Sequence, residues 1–316
     1  MNSHKHRIRN RKDFTTTQRA TSSAELCKDT NGHGTAVVYQ LIKTCPDAHI
    51  YVAKVVQERH GDSVNVDRTA VANAIMHAAR PVREHGWGVD IISMSFGWDN
   101  ADRPHWNEGG SNASTASGLN NNRKAPTSIS EAIRYATDQH VLLFAAATNY
   151  GLSRKNDIFY PARDVNVISV DSQDGDGNPA SFAIQSGSGR TKDRFCAPGI
   201  GAANPLGKET LSGSSFACPI AAGIAALVLQ FTRQSPLKDH PSIEQAVKNH
   251  QGMARVLRDK MSDFQIGREV FKILYPWKLF GLPADDEKNR RWAARAIVEC
   301  LKNEYGEEVG NEIDWY

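Results

Sequence analysis

The stretch that most constrains the fold is residues 211–231, LSGSSFACPIAAGIAALVLQF, in which small and polar residues lead directly into a long apolar segment. A helix that is apolar on every side is normally the buried centre of a larger protein. This helix begins with Ser214 and Ser215. Serine is a common N-cap, but a serine at a helix start also lies beside unpaired N–H groups and the positive end of the helix dipole. The stretch therefore predicts a central buried helix whose first turn is either a cap or a site that stabilises negative charge.

The bulk composition is that of an ordinary globular protein, with 40% hydrophobic and 23% charged residues among 316. The formal net charge of +3 and the lack of a basic stripe with interleaved aromatics argue against a nucleic-acid partner. We expect no membrane span, because no apolar run approaches 18 residues. The five cysteines are odd in number and form no C-x-x-C pair, which argues against disulfides and a zinc site. Together with the lack of a signal peptide, they predict an intracellular, cytoplasmic protein.

Helical and apolar strand-like segments alternate along the first two thirds of the chain. Helices are predicted over 33–44, 67–80 and 128–139, and strands over 49–55, 89–95, 141–147 and 165–170. This alternation predicts an α/β fold, a doubly wound and mostly parallel sheet with helices on both faces. Active sites of such sheets lie at the carboxyl ends of the strands, where residues 95–97 and Asn149 follow two of them.

Composition divides the chain into three parts. Residues 1–28 form a basic N-terminal arm, which we expect to be solvated, and residues 29–232 form the α/β core. Within the core, residues 98–126 are rich in Asn, Ser and Gly and predict a surface insertion. Residues 233–316 predict a helical C-terminal extension, either packed on the core or separate, which offers a surface for a protein partner.

Three short motifs carry chemistry in combination. Taken singly, His33-Gly34-Thr35 is more often structural, Gly213-Ser214-Ser215 is usually only a cap, and Asn149 is usually a turn residue. In this chain order, however, the sequence resembles the subtilisin-like serine peptidases. Residues 31–35 resemble the segment around the family's catalytic His, residues 213–219 the segment around its nucleophilic Ser, and residues 145–149 the strand that ends in its oxyanion-hole Asn.

The resemblance implies a role for each matched residue. Ser215 would be the nucleophile and His33 the general base, while the carboxamide of Asn149 and the N–H of Ser215 would bind the oxyanion. The segments 95–97 and 145–147 would be edges that pair with an extended polypeptide substrate. The residues implied in substrate binding are Ser95, Phe96, Gly97, Ala146, Ala147 and Thr148. Pro219 would lie near the first helical turn, where a missing N–H costs little, and Gly213 would allow a tight turn before the nucleophile.

The chain also departs from the family pattern. The family's triad runs Asp, His, Ser, with the Asp after an early apolar strand in a D-[ST]-G setting, and no such strand or motif precedes His33. Asp13 lies in a segment that resembles the connection following that strand, and Asp29 is better explained as a turn residue. Tyr39 replaces a small residue on a helix that must pack closely. Thr148 replaces a Gly beside the oxyanion Asn, and Ser214 replaces a Thr.

Other motifs point to no cofactor and no metal. Residues 174–178 begin like a calcium loop, but Pro179 stands where a Gly is required and Gln185 where the bidentate Glu is required, so a polar turn fits better. The sequence has no Walker A or H-E-x-x-H motif and no G-x-S-x-G or G-x-G-x-x-G in context.

Two classes of function remain open at this point. The first is a serine endopeptidase that hydrolyses peptide bonds through an acyl-enzyme formed at Ser215, impaired if the triad carboxylate is missing. The second is a catalytically inactive, peptidase-like module that binds extended peptides or a protein partner. The intact Ser, His and Asn motifs favour the first, and the missing Asp motif and Tyr39 favour the second. A lipase-like hydrolase is disfavoured, because the nucleophile motif is different.

Overall fold

A computed structural model describes residues 6–15, 28–60, 63–98, 128–149, 158–183, 193–266, 270–281 and 287–305. The predicted surface insertion at 98–126 lies outside the described residues except for Trp98, and Gln185 lies outside them as well. The strands are β1 (Ile8–Asp13), β2 (Ile50–Lys54), β3 (Val56–His60), β4 (Ser63–Val66), β5 (Ile91–Met94), β6 (Leu142–Ala146), β7 (Ile168–Gln173), β8 (Arg194–Pro198), β9 (Ser262–Ile266) and β10 (Val270–Leu274). The helices are α1 (His33–Thr44), α2 (Arg68–Ala79), α3 (Ile129–Asp138), α4 (Ser214–Thr232), α5 (Pro241–Val247), α6 (His250–Met261), α7 (Trp277–Phe280) and α8 (Glu287–Tyr305).

The main sheet has the strand order β5-β6-β7-β8-β10-β9, in which only β9 is antiparallel to its neighbour. All of β6 is buried, and its side chains alternate between the two faces as a strand requires. Leu142 and Phe144 pack with α4 on one face, whereas Leu143 and Ala145 pack with α2 and α3 on the other. The predicted α/β class, with a mostly parallel sheet and helices on both faces, is confirmed.

The helix starts follow local sequence signals. The Asp67 carboxylate accepts the N–H groups of Thr69 and Ala70 at the start of α2, and Ser128 accepts the N–H of Glu131 at the start of α3. Both are N-cap interactions that satisfy donors left free at a helix end. The predicted bounds of α1, α2 and α3 agree with the structure to within about a residue or two, the usual uncertainty of a helix end.

The prediction of a solvated arm over 1–28, with no strand before His33, is wrong for part of that segment. Residues Ile8–Asp13 form β1, which pairs in parallel with β2 and ends at Asp13. The strand escaped prediction because its sequence, IRNRKD, is almost wholly polar. Its four central residues are exposed, so pairing with β2 rather than core burial stabilises it.

The C-terminal region is more closely joined to the core than a helical extension would be. The hairpin of β9 and β10 extends the main sheet, because Ile273 of β10 pairs with Cys196 of β8. Helices α5, α6, α7 and α8 share one hydrophobic cluster with α4. Helices α5 and α6 are separated at Lys248 and Asn249, where the Asn249 side chain caps α6. The described residues of this C-terminal region therefore form part of the same core as α4.

The central apolar helix predicted from residues 211–231 is α4. Among the described residues it is the one helix long and apolar enough to cross a membrane, contrary to the expectation that no apolar run approaches that length. It packs against β5, β6, β7 and β8, and 67% of its most apolar window is buried inside the structure. This burial is that of a core helix of a globular fold.

Candidate active site

The first turn of α4 is built around Asn149. The side-chain oxygen of Asn149 accepts the N–H of Ser214 at 2.8 Å and the hydroxyl of Ser214 at 2.9 Å. Gly213 has φ +155°, and a Cβ added there would lie 3.0 Å from Nδ2 of Asn149. Only glycine combines this backbone conformation with so close an approach, as the sequence predicts. The two bonds from Ser214 fix the carboxamide and leave its NH₂ group as the donor end.

Ser215 lies in this first turn and is half-buried. The N–H groups of Phe216 and Ala217 both point to the carbonyl of Gly213, at 3.0 and 3.4 Å. In the described part of the chain, no acceptor is found for the N–H of Ser215 itself. A free donor at the positive end of a helix, beside an amide NH₂ group, suits a developing negative charge.

Pro219 lies inside α4, five residues after its start, which is near the first helical turn but beyond the N–H groups that lack a helical partner. A proline at this point cannot donate to the carbonyl four residues earlier, which belongs to Ser215. The hydroxyl of Ser95 donates to that carbonyl at 2.7 Å. Sequence reasoning missed this contact, although a proline four residues after the nucleophile signals a carbonyl without its helical donor.

Cys218 joins α4 to β5 just below this turn. Its sulfur lies 3.4 Å from the hydroxyl of Ser93 and 3.8 Å from the carbonyl of Met94. Burial raises the pKa of the Cys218 thiol to about 11, although contacts with Ser93, Met94 and Ser95 lower it in part. The thiol therefore stays protonated at neutral pH and serves as a packing group.

His33 is the first residue of α1, and its side chain is exposed. The imidazole lies against the ring of Phe216, the residue after Ser215, with ring centroids 5.5 Å apart. Helices α1 and α4 pack closely, since a Cβ on Gly223 would lie 2.8 Å from Cβ of Thr44. This packing brings the start of α1 to the start of α4, and with it His33 to the turn that carries Ser215.

The two aspartates before His33 accept hydrogen bonds from residues close to them in the chain. Asp29 accepts the N–H groups of Gly32 and Thr35 at 2.9 and 2.6 Å and so closes the turn before α1, as predicted. Burial acts to raise the pKa of Asp29, but the hydrogen bonds from Thr35 and Gly32 outweigh it and the pKa is lowered. Asp13 accepts the N–H and hydroxyl of Thr15 at 2.8 and 2.6 Å and lies 3.5 Å from the Lys54 ammonium.

The two predicted substrate segments, residues 95–97 and 145–147, differ in whether they lie at an edge of the main sheet. In the described part of the chain β5 is an edge strand, so Ser95, Phe96 and Gly97 follow an open edge. A Cβ on Gly97 would lie 2.9 Å from Cβ of Phe159, so the backbone passes close to its neighbour there.

The expectation that residues 145–147 also present an edge is wrong, because β6 lies between β5 and β7. Ala147 donates to the carbonyl of Val170 and accepts from the N–H of Phe159. Ala146, Ala147 and Thr148 are all buried, so they can contribute only walls to a cleft.

The described residues contain no group of three or more His, Cys, Asp or Glu side chains that would hold a metal ion. The candidate calcium loop is a polar turn: Asp174 accepts the N–H groups of Asp176 and Asn178 at 2.9 and 2.8 Å.

A doubly wound α/β fold with a serine at the start of its central helix, an asparagine bonded to that turn and a nearby histidine is the arrangement of a serine peptidase. The chain belongs to the Subtilase family, whose sequence model matches residues 3–267. It is 28% identical over 233 residues to alkaline elastase YaB of Bacillus sp. (strain YaB), a match that covers 70% of this chain and 50% of that protein. It is 29% identical over 227 residues to subtilisin BL of Lederbergia lenta, covering 70% of this chain and 71% of that protein. The chain thus spans half the length of alkaline elastase YaB.

Two solved structures show the same fold. The prenylagaramide maturation protease PagA matches with a TM-score of 0.57 and 23% identity, over 80% of this chain and 83% of that chain. A mutant of the protease domain of PatA matches with a TM-score of 0.58 and 22% identity, over 86% of this chain and 87% of that chain.

Proposed function

We propose that this chain is a serine endopeptidase that cleaves polypeptides through an acyl-enzyme at Ser215. In the proposed reaction His33 takes the proton of the Ser215 hydroxyl as its oxygen attacks the peptide carbonyl. His33 then passes the proton to the leaving amine, and a water molecule hydrolyses the resulting ester by the same steps. Asn149 and the N–H of Ser215 bind the oxygen of the tetrahedral intermediate.

One observation carries this proposal more than any other: the bonding of Asn149 to the turn of the nucleophile. Ser214 does not serve as the cap of α4, because the N-cap position belongs to Gly213 and no side chain caps the helix there. Instead, both donors of Ser214 go to the oxygen of Asn149, which orients the NH₂ group. The free N–H of Ser215 lies in the same turn, so two donors meet where an oxyanion would form.

We expect the activity of this chain to be low. Asp13 accepts hydrogen bonds from Thr15 and Asp29 from Gly32 and Thr35, and neither lies in the D-[ST]-G setting of the family's triad Asp. In subtilisin, removal of the triad Asp alone lowers turnover about 3 × 10⁴-fold. The residual activity that remains in such a case comes from the oxyanion site and substrate binding.

The test is hydrolysis of an unfolded polypeptide, such as reduced and carboxymethylated casein labelled with a fluorophore. We expect slow cleavage by the purified chain, lost in Ser215→Ala and in His33→Ala, with both variants folded by circular dichroism. Cleavage that persists in Ser215→Ala would overturn the assignment of the nucleophile.

A second function, binding of extended peptides without cleavage, is favoured by the interrupted sheet. In the described part of the chain, β2 pairs with β1 and β5 with β6, and β2 and β5 do not pair with each other. Ile91 and Ile92 of β5 are only half-buried, whereas every residue of β6 is buried. An open, partly apolar edge is a template for an added strand. If the wild-type chain binds the same labelled casein with equal affinity to Ser215→Ala and releases no fragments, this second function replaces the first.

A further inference from the structure

The carbonyl of Ser215 lacks its regular helical partner. In an α-helix a carbonyl accepts the N–H of the residue four positions later. Here that residue is Pro219, which has no N–H and is itself buried. The peptide group that joins Ser215 to Phe216 therefore lies in the middle of the proposed site without the bond that would normally hold it.

The hydroxyl of Ser95 supplies a donor for this carbonyl from outside the helix. Its oxygen lies 2.7 Å from the Ser215 carbonyl oxygen, within the range of a good O–H···O bond. Ser95 follows Met94, which is 2% exposed and in register with Ala145 of the central strand. The donor thus follows directly after the buried end of β5.

We propose that Ser95 is a positioning residue for the nucleophile, which acts by holding the peptide between Ser215 and Phe216. This proposal rests on the proposed function. The peptide has the attacking Ser215 on one side and, on the other, the Phe216 ring that lies against His33. Its rotation would move the nucleophile and the ring beside the base together, so one hydrogen bond fixes both.

This role differs from the substrate contact that the sequence predicted for Ser95. Because the hydroxyl donates its proton to the Ser215 carbonyl, it cannot also donate to a bound peptide. Loss of the hydroxyl should therefore lower the rate of the chemical step and leave KM nearly unchanged, whereas loss of a substrate contact would raise KM.

The experiment is a double-mutant cycle of Ser95→Ala and Pro219→Ala in the full chain. Alanine at 219 restores an N–H that can donate to the Ser215 carbonyl, and it is well accepted inside a helix. With Pro219 present, Ser95→Ala should lower the rate of fluorophosphonate labelling of Ser215 about ten-fold, the fold-change expected for one hydrogen bond. In the Pro219→Ala background the same change should lower it by no more than about two-fold, because the carbonyl keeps a donor.

A matched pair of variants tests the hydroxyl without touching the proline. Thr and Val have nearly the same shape, so Ser95→Thr should keep most of the labelling rate and Ser95→Val should lose it like Ser95→Ala. Ser93→Ala removes a hydroxyl from the same strand that contacts the sulfur of Cys218 instead, and it should lower the rate less than Ser95→Ala does.

Denaturant unfolding of the wild type, Ser95→Ala, Pro219→Ala and the double variant tests the hydrogen bond without relying on activity. A failure of the positioning role can therefore be distinguished from a failure of the proposed function. An equal loss of labelling rate in both backgrounds, or a loss that appears only in KM for casein, would overturn the positioning role of Ser95. If the wild-type chain is not labelled at all, the proposed function fails. The unfolding cycle would then still report the bond, as a coupling between positions 95 and 219, and zero coupling would overturn the contact itself.

Discussion

Ser215 and His33 stand on parts of the molecule that differ sharply in burial. Ser215 lies in the first turn of a helix that packs on four strands of the main sheet, two of which, β6 and β7, are entirely buried. His33 begins α1, which follows the mostly exposed strand β1 in the chain and precedes its partner strand β2. Four side chains, those of Ser95, Asn149, Ser93 and Cys218, tie the Ser215 turn to the strands or the loops that follow them. The position of the nucleophile Ser215 is therefore fixed by the core, whereas the position of the base His33 depends on the turn at the start of α1.

The largest expected effect lies in the main sheet. Phe144→Ala removes a fully buried ring from β6 and should lower the free energy of unfolding by about 3–5 kcal/mol. Tyr51→Ala removes a half-buried ring from β2 that contacts Trp87, with centroids 5.4 Å apart, and should cost clearly less. Urea unfolding of both variants measures the difference. Equal losses would contradict the contrast between the two sheets.

The next effect concerns the oxyanion donor. Asn149→Ala should lower the turnover of casein by about 10²–10³-fold, as expected when one donor to the intermediate is lost. Ser214→Ala keeps the N–H bond to Asn149 but loses the hydroxyl bond, so about a ten-fold loss or less is expected. Comparison of kcat for the two variants gives the measurement. A larger loss for Ser214→Ala than for Asn149→Ala would show that the carboxamide does not bind the oxyanion.

The smallest effect is at the start of α1. Asp29→Ala leaves the N–H groups of Gly32 and Thr35 without their acceptor and should lower the free energy of unfolding by about 0.5–1 kcal/mol, as for loss of an exposed helix cap. The labelling rate should fall with it, because His33 lies inside this turn. Asp29→Asn keeps an acceptor and should fall between the wild type and Asp29→Ala.

The same turn gives a pH dependence of known sign. Because the pKa of Asp29 is lowered in the folded chain, its contribution to stability is fully present above the unfolded pKa, near 3.8. It is lost as the pH falls through the lower folded value. Urea unfolding of the wild type and Asp29→Ala at pH 7 and pH 3 should therefore converge at the lower pH, and a constant difference would contradict this account.

The residues that could be predicted from the sequence are those with strong local signals. The continuous apolar run of β6, the helix that starts after Ser128 and the all-apolar α4 each depend on neighbouring residues, and each is confirmed. Strand β1 gave no such signal, because charged residues fill it and its partner β2 lies about 40 residues further on. The hairpin of β9 and β10 was missed for a similar reason, since it is stabilised by pairing with β8.

Within the site, the sequence predicts the residue types but not their contacts. Ser214, read as a mild replacement, provides both bonds to the oxygen of Asn149. Ser95, read as a substrate contact, donates to the carbonyl of Ser215 across 120 residues of sequence. Such bonds depend on how β5 meets α4, which no local pattern encodes.

The most direct test of the central claim is the reaction of the folded chain with a fluorophosphonate, with the modified residue located by mass spectrometry. We predict a single adduct at Ser215, formed slowly because no Asp in the family's D-[ST]-G setting precedes His33, and formed more slowly still in His33→Ala. No adduct at Ser215, or an adduct whose rate is unchanged in His33→Ala, would contradict the assignment of nucleophile and base.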